Sequence, residues 1–238
     1  MAALPVVDAV VPARNEETTV ASVVEACVGC RYVREVIVVD DGSTDDTAAR
    51  AAAAGAKVVR RSALADASGP SIPLPGSKAH AMEAGVEASD AEAILFVDAD
   101  LLGITSGHLE DICRAYVETD AVMSIGCFDY GVLNPLVLRL PPTTGERIIP
   151  RWVFESVPPH KRDGYTIEVM INEVVAEGRC PTIARVMRGV THRTKRQKFG
   201  MLHGYWRTWE MFRDLLALLR TVRLRTYWFY LRSLVIET

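Results

Sequence analysis

The chain has 238 residues, 49% hydrophobic and 24% charged, with a net charge of -3. That length suits one large domain with a sizeable core, and nothing in the composition resembles disorder. Neither a signal-peptide pattern in MAALPVVDAVVPARNEE nor an uncharged run of membrane-spanning length is present, and five cysteines without an export signal point to a reduced cytoplasmic protein.

In chain order, Val6 to Val11 reads as a strand, and Val20, Val23, Val24 and Cys27 then recur at helical spacing. Cys27 and Cys30 form a single Cys-x-x-Cys at the end of that helix, which reads as buried thiols rather than a zinc or redox site. Glu35 to Val39 is a second strand ending at Asp40-Asp41-Gly42, after which Ser43 or Thr44 is expected to cap a helix with Asp45 and Asp46 in its first turn. Ala56 to Val59 gives a third strand, and Ser62 to Gly76 a loop rich in Gly, Pro and Ser. A helix near Lys78 to Ala88 precedes the strand Ala93 to Val97. Further on, Asp120 to Cys127 is a strand, Asn134 to Pro142 irregular, Ile167 to Ala176 a helix and Thr182 to Val190 a strand. Short apolar runs alternating with helical patterns predict an α/β fold, a Rossmann-like mainly parallel sheet flanked by helices. A catalytic domain over 1–204 divides into a nucleotide-binding half, 1–105, and an acceptor half, 106–204, followed by a helical C-terminal tail over 205–238.

Four polar segments follow those strands. In Ile94-Leu95-Phe96-Val97-Asp98-Ala99-Asp100 a buried strand emerges into two carboxylates at i and i+2, which point the same way in an extended chain. Such oxygen ligands suit Mg²⁺ or Mn²⁺ shared with substrate phosphates, and the carboxyl ends of parallel strands are where open α/β sheets hold ligands. Asp-x-Asp alone is equally a turn signal. Asp40-Asp41-Gly42 can accept hydrogen bonds from a base or ribose. Pro12, Ala13, Arg14 and Glu16 lie in the polar loop after strand one, and Gly76-Ser77-Lys78 offers N–H groups and an ammonium to a diphosphate.

VVPARNEE, VIVVDDGSTDDT, GSKAHAMEAG and AILFVDADL, in this order and spacing, closely resemble family 2 glycosyltransferases of the GT-A fold over roughly the first 105 residues. The resemblance implies a nucleotide diphosphate sugar donor, UDP- or GDP-linked, with Pro12, Ala13, Arg14, Glu16 and Asp41 around the nucleoside, Gly76 and Lys78 near the base or diphosphate, Asp98 toward the ribose and Asp100 on the metal. One departure is Gly76-Ser77-Lys78, where the family often has Gly-Lys-Gly. Thr144-Gly145-Glu146-Arg147, Gly164-Tyr165-Thr166-Ile167-Glu168 and Thr191-His192-Arg193 resemble glucosyl-3-phosphoglycerate synthases and related actinobacterial-type enzymes. By that likeness Thr144, Gly145, Glu146 and Arg147 border a small, hydroxylated acceptor, Glu168 is a catalytic carboxylate and His192 a metal ligand. Polyprenyl-phosphate sugar transferases share part of this pattern. A non-catalytic nucleotide-sugar-binding protein on the same fold is the second alternative.

For an inverting reaction Glu168 is the expected general base; for a retaining one, as in glucosyl-phosphoglycerate synthases, it orients sugar or acceptor. Arg147 is either a reader of an acceptor phosphate or carboxylate or a surface residue. Ten Lys or Arg stand against three Asp or Glu from Arg193 to Thr238, leaving the rest of the chain acidic. Its arginines, interleaved with Leu215, Leu219, Trp228 and Leu234, suit packing on the domain or on a second subunit of a homodimer, or peripheral contact with an anionic membrane. No nucleic-acid partner is expected.

Overall fold

A computed structural model describes residues 6–61, 77–134, 144–162, 166–193, 228, 231–232 and 234–237. Its strands are β1 (Val7–Ala13), β2 (Val33–Asp40), β3 (Lys57–Arg60), β4 (Ala93–Phe96), β5 (Leu101–Leu102), β6 (Met123–Phe128), β7 (Arg147–Pro150), β8 (Thr182–Met187), β9 (Thr191–His192) and β10 (Leu234–Glu237). The helices are α1 (Val20–Val28), α2 (Thr47–Ala53), α3 (Lys78–Glu87), α4 (Ser106–Val117), α5 (Arg151–Glu155) and α6 (Thr166–Glu177).

Eight strands form one sheet in the order β10-β8-β6-β7-β4-β1-β2-β3. All neighbours are parallel except around β7, which runs antiparallel to β4 and β6. The central strands carry apolar residues on both faces, as strands covered by helices on both sides must. Ala9, Val11, Val36, Val38, Leu95 and Val97 face one core with residues of α1, α2 and α4. Val10, Ile37, Val39, Ile94 and Phe96 face the other with residues of α3, α5 and α6. This two-residue alternation gives three layers, helix on sheet on helix.

From β1 the chain lays β2 and β3 on one side and β4 on the other, so a crevice opens beyond the carboxyl ends of β1, β2 and β4. At the opposite end of the sheet, fully buried Asp8 accepts from Arg34 at 2.7 and 3.0 Å and from Ser89 at 2.6 Å, a polar network that ties strand starts together.

Three expectations change. Neither Ser43 nor Thr44 caps α2: the helix starts at Thr47, and the two residues are instead joined to Asn15 in the loop after β1. Residues 106–204 contain α4, β7 and α5, which periodicity did not reveal. α4 begins Ser106-Gly107-His108, weak helix formers rescued by Thr105 and His108 in a capping box. The tail does not end as a helix, because Leu234–Glu237 adds a parallel edge strand beside β8, while most of 205–238 lies outside the described residues. Among the described residues no helix is long and apolar enough to cross a membrane, and Cys27 and Cys30 are buried free thiols as expected.

Candidate active site

The crevice is lined first by two loops bound to each other. Asn15, at φ 56°, donates its N–H to Ser43 Oγ at 3.0 Å and accepts from the Thr44 N–H at 2.8 Å. The Glu16 N–H reaches Thr47 Oγ1 at 2.8 Å, and the Asp41 N–H reaches the Ala13 carbonyl at 2.9 Å. Pro12, Ala13, Arg14, Glu16 and Asp41 therefore share one edge; Ala13, Glu16 and Asp41 are buried and Arg14 exposed. Asp41 carries a partner the sequence reading missed: Arg61 Nη1 lies 2.5 Å from its Oδ1. Register could have exposed it, because β3 runs beside β2 with Arg60 opposite Asp40 and places the next residue at the mouth.

α3 opens at Lys78 on the same edge, while Gly76 lies outside the described residues. Lys78 Nζ sits 2.5 Å from Asp98 Oδ1 and 2.7 Å from Glu168 Oε1. Burial alone would lower this ammonium's pKa; the charges and hydrogen bonds of Asp98 and Glu168 outweigh it and keep the pKa above the ordinary range. Glu168 is buried in the first turn of α6, so it is not the surface glutamate that a helical pattern gives by default.

Beyond β4 the chain turns through Asp98 and Asp100 into β5, which pairs antiparallel with β9 and sets Leu101 opposite His192. The Arg193 N–H donates to the Asp100 carbonyl at 2.9 Å, and His192 Nδ1 lies 3.4 Å from Asp100 Oδ1. Burial lowers the His192 pKa, yet the bond to Asp100 with the charges of Glu146, Asp100 and Asp98 leaves it raised. Asp98, Asp100 and His192 each offer a donor atom within 4.8 Å of the others. Two carboxylates and an imidazole suit a hard to borderline divalent ion such as Mg²⁺ or Mn²⁺, with open positions for phosphate oxygens.

Thr144, Gly145, Glu146 and Arg147 lead into β7, directly beneath Asp98. Gly145 is so close that a Cβ there would lie 2.3 Å from Asp98 Oδ1. Glu146 is fully buried, accepts from the Thr144 hydroxyl and leaves Oε1 without a hydrogen-bond partner. Burial, reinforced by the Asp98 charge, pushes its carboxyl up to about 7. Arg147 is fully buried too, which removes the surface reading. The structure thus brings every described candidate residue to one edge of one sheet.

A crevice lies at the switch point of this sheet, rimmed by Asp-x-Asp and a returning histidine, and the fold is GT-A-like, as in the solved structures below. Residues 8–68 match the family model described as glycosyl transferase family 2. Among individual proteins, the chain is similar to glucosyl-3-phosphoglycerate synthase of Mycolicibacterium smegmatis, 45% identical over 98 residues that cover 40% of this chain and 31% of that protein. It is also similar to 4,4'-diaponeurosporenoate glycosyltransferase of Staphylococcus aureus, 35% identical over 107 residues covering 45% of this chain and 27% of the relative. These matches span less than a third of each relative's length. The crystal structure of Mycobacterium tuberculosis glucosyl-3-phosphoglycerate synthase in complex with Mn²⁺, UDP-glucose and phosphoglyceric acid superposes with a TM-score of 0.65 at 26% identity, covering 80% of this chain and 72% of that one. Its complex with Mg²⁺ and UDP gives 0.66 at 27%, with the same shares covered.

Proposed function

We propose that the protein transfers a sugar from a UDP-sugar to a hydroxyl group of a small acceptor, using Mg²⁺ or Mn²⁺ held by Asp98, Asp100 and His192. The observation that carries this reading is the convergence of those three donor sets within 4.8 Å at the carboxyl edge of the sheet. The likeness to structures that hold UDP with Mg²⁺ or Mn²⁺ supports it.

The base is favoured by Asp41 and Arg61, which set a hydrogen-bond acceptor beside a cationic donor. That pair complements a base edge on which a donor stands beside an acceptor, as N3–H beside a carbonyl does in uracil. UDP is preferred because the similar solved structures contain it.

A bound divalent cation supplies positive charge for the departing diphosphate. Lys78, at the start of α3, adds its own charge on the diphosphate side and holds Glu168 through the 2.7 Å contact. Glu168 lies across from Asp98, where the sugar bridges donor and acceptor halves. It deprotonates the acceptor hydroxyl in an inverting reaction or orients the sugar in a retaining one. Thr144, Gly145 and Glu146 border the acceptor side.

Calorimetric titration with UDP, GDP and dTDP, each with and without Mn²⁺, tests the assignment. UDP binding that requires Mn²⁺ and disappears in Asp100→Ala is the expected result. Removing the metal ligand should also lower sugar transfer by roughly 10³-fold, several kcal/mol of lost charge stabilisation. Full metal dependence in Asp100→Ala would sink the metal site.

A further inference from the structure

Arg147 occupies the first position of β7, in register with Phe96 on one side and Ile125 on the other. Its side chain is 0% exposed and runs toward α6. Nη1 donates to the Glu168 carbonyl at 3.2 Å and to Asn172 Oδ1 at 3.0 Å, and Nη2 donates to the Thr144 carbonyl at 2.5 Å. All three acceptors are neutral protein oxygens on two different elements, which the planar guanidinium fork joins at once. A cation withdrawn this far from water costs stability unless such acceptors surround it. From Glu168 the contacts continue through Lys78 to Asp98 at 2.7 and 2.5 Å. Arg147 on the Glu168 carbonyl, and Lys78 between the Glu168 and Asp98 carboxylates, thus link β7, α6, α3 and the end of β4.

We propose that Arg147 is a positioning residue that fixes Glu168 by holding its backbone carbonyl, instead of reading a phosphate or carboxylate on the acceptor. The inference rests on the glycosyltransferase reading above and sharpens it. The Arg147 guanidinium makes three hydrogen bonds to protein oxygens, its Nε is buried without a partner, and the residue is 0% exposed, so no part of it meets solvent where an acceptor anion would approach.

Hydrolysis of UDP-glucose by water with Mn²⁺ needs no identified acceptor and serves as the readout, alongside calorimetric titration with UDP. Arg147→Lys keeps the charge but loses the fork. It is expected to bind UDP as the wild type does while hydrolysing UDP-glucose on the order of 10- to 100-fold more slowly, the cost of a small misplacement. In a Glu168→Gln background the same change should add little, since the two act in series. Independent, multiplying losses would overturn the proposal. So would a lysine variant with wild-type hydrolysis and a raised KM for 3-phosphoglycerate but not for glycerol. A wild-type protein that neither binds UDP nor cleaves UDP-glucose would bring down the glycosyltransferase reading, and this inference with it.

Discussion

Gly145 illustrates how little space separates the segment before β7 from Asp98. An alanine Cβ there would meet Asp98 Oδ1 at 2.3 Å and Cγ at 2.4 Å, so the carboxylate must move. Since Asp98 also holds Lys78, Gly145→Ala should weaken Mn²⁺-dependent UDP binding by roughly 10-fold or more, a loss of the size seen when ligand support is disturbed. Unchanged calorimetric affinity would show that Asp98 has room to retreat. Glu146, one residue on, gives a pH signature. Burial foremost, then the Asp98 charge, raises its carboxyl from 4.5 to about 7. Folding thus favours the protonated acid: that stabilisation is complete below about pH 4.5 and is lost as pH rises through about 7. Without metal, the stability of Glu146→Gln relative to wild type should therefore climb across that window, by a few kcal/mol at most. Denaturation at several pH values checks this, and a difference that does not vary with pH would contradict it.

Among the elements, α3 sits close on the sheet. A Cβ on Gly85 would lie 2.3 Å from Val10 Cγ1 and 3.2 Å from Val39 Cγ2, so the helix rests directly on β1 and β2. Glycine is tolerated inside this helix because any larger residue would push it off the sheet. Gly85→Val should cost about 1–3 kcal/mol by overpacking, and should also slow sugar transfer because Lys78 rides on the same helix. Denaturant unfolding and turnover measured on the same variant would test the link; lost stability with full activity would separate the seat of α3 from the site. The pairing of β5 with β9 matters in the same way. Four residues of strand suffice to bring His192 from the far end of the chain to Asp100.

At the scale of the molecule, the site draws on residues from Pro12 to His192, and no single element contains it. A ligand bridging such loops stabilises the folded state by mass action, by about 2.7 kcal/mol at 100 times its Kd. UDP with Mn²⁺ should raise the Tm of the wild type, and leave that of Asp100→Ala unchanged. A thermal shift of equal size in both proteins would place the nucleotide away from the Asp-x-Asp motif.

The first half of the sheet was legible in the sequence because its signals are local. Val-rich runs form the strands of both cores, and Asp98 and Asp100 share a side of the chain as neighbours at i and i+2. His192 and Glu168 were singled out through the resemblance of short motifs, and they lie beside Asp100 and Lys78. The partners were not legible, because hydrogen bonds between distant segments leave no periodic trace. Only the tertiary structure paired Arg61 with Asp41, seated Gly145 on Asp98 and ended the tail in an edge strand on β8. It also decided the fate of Arg147, whose charge looked equally suited to solvent or substrate in one dimension. The register of β7 between β4 and β6 carries that guanidinium into the interior, where three protein oxygens take it up. Sequence determined which chemistry the chain carries, because that depends on residue types near strand ends; which charges remain free to use it depends on contacts that only folding creates.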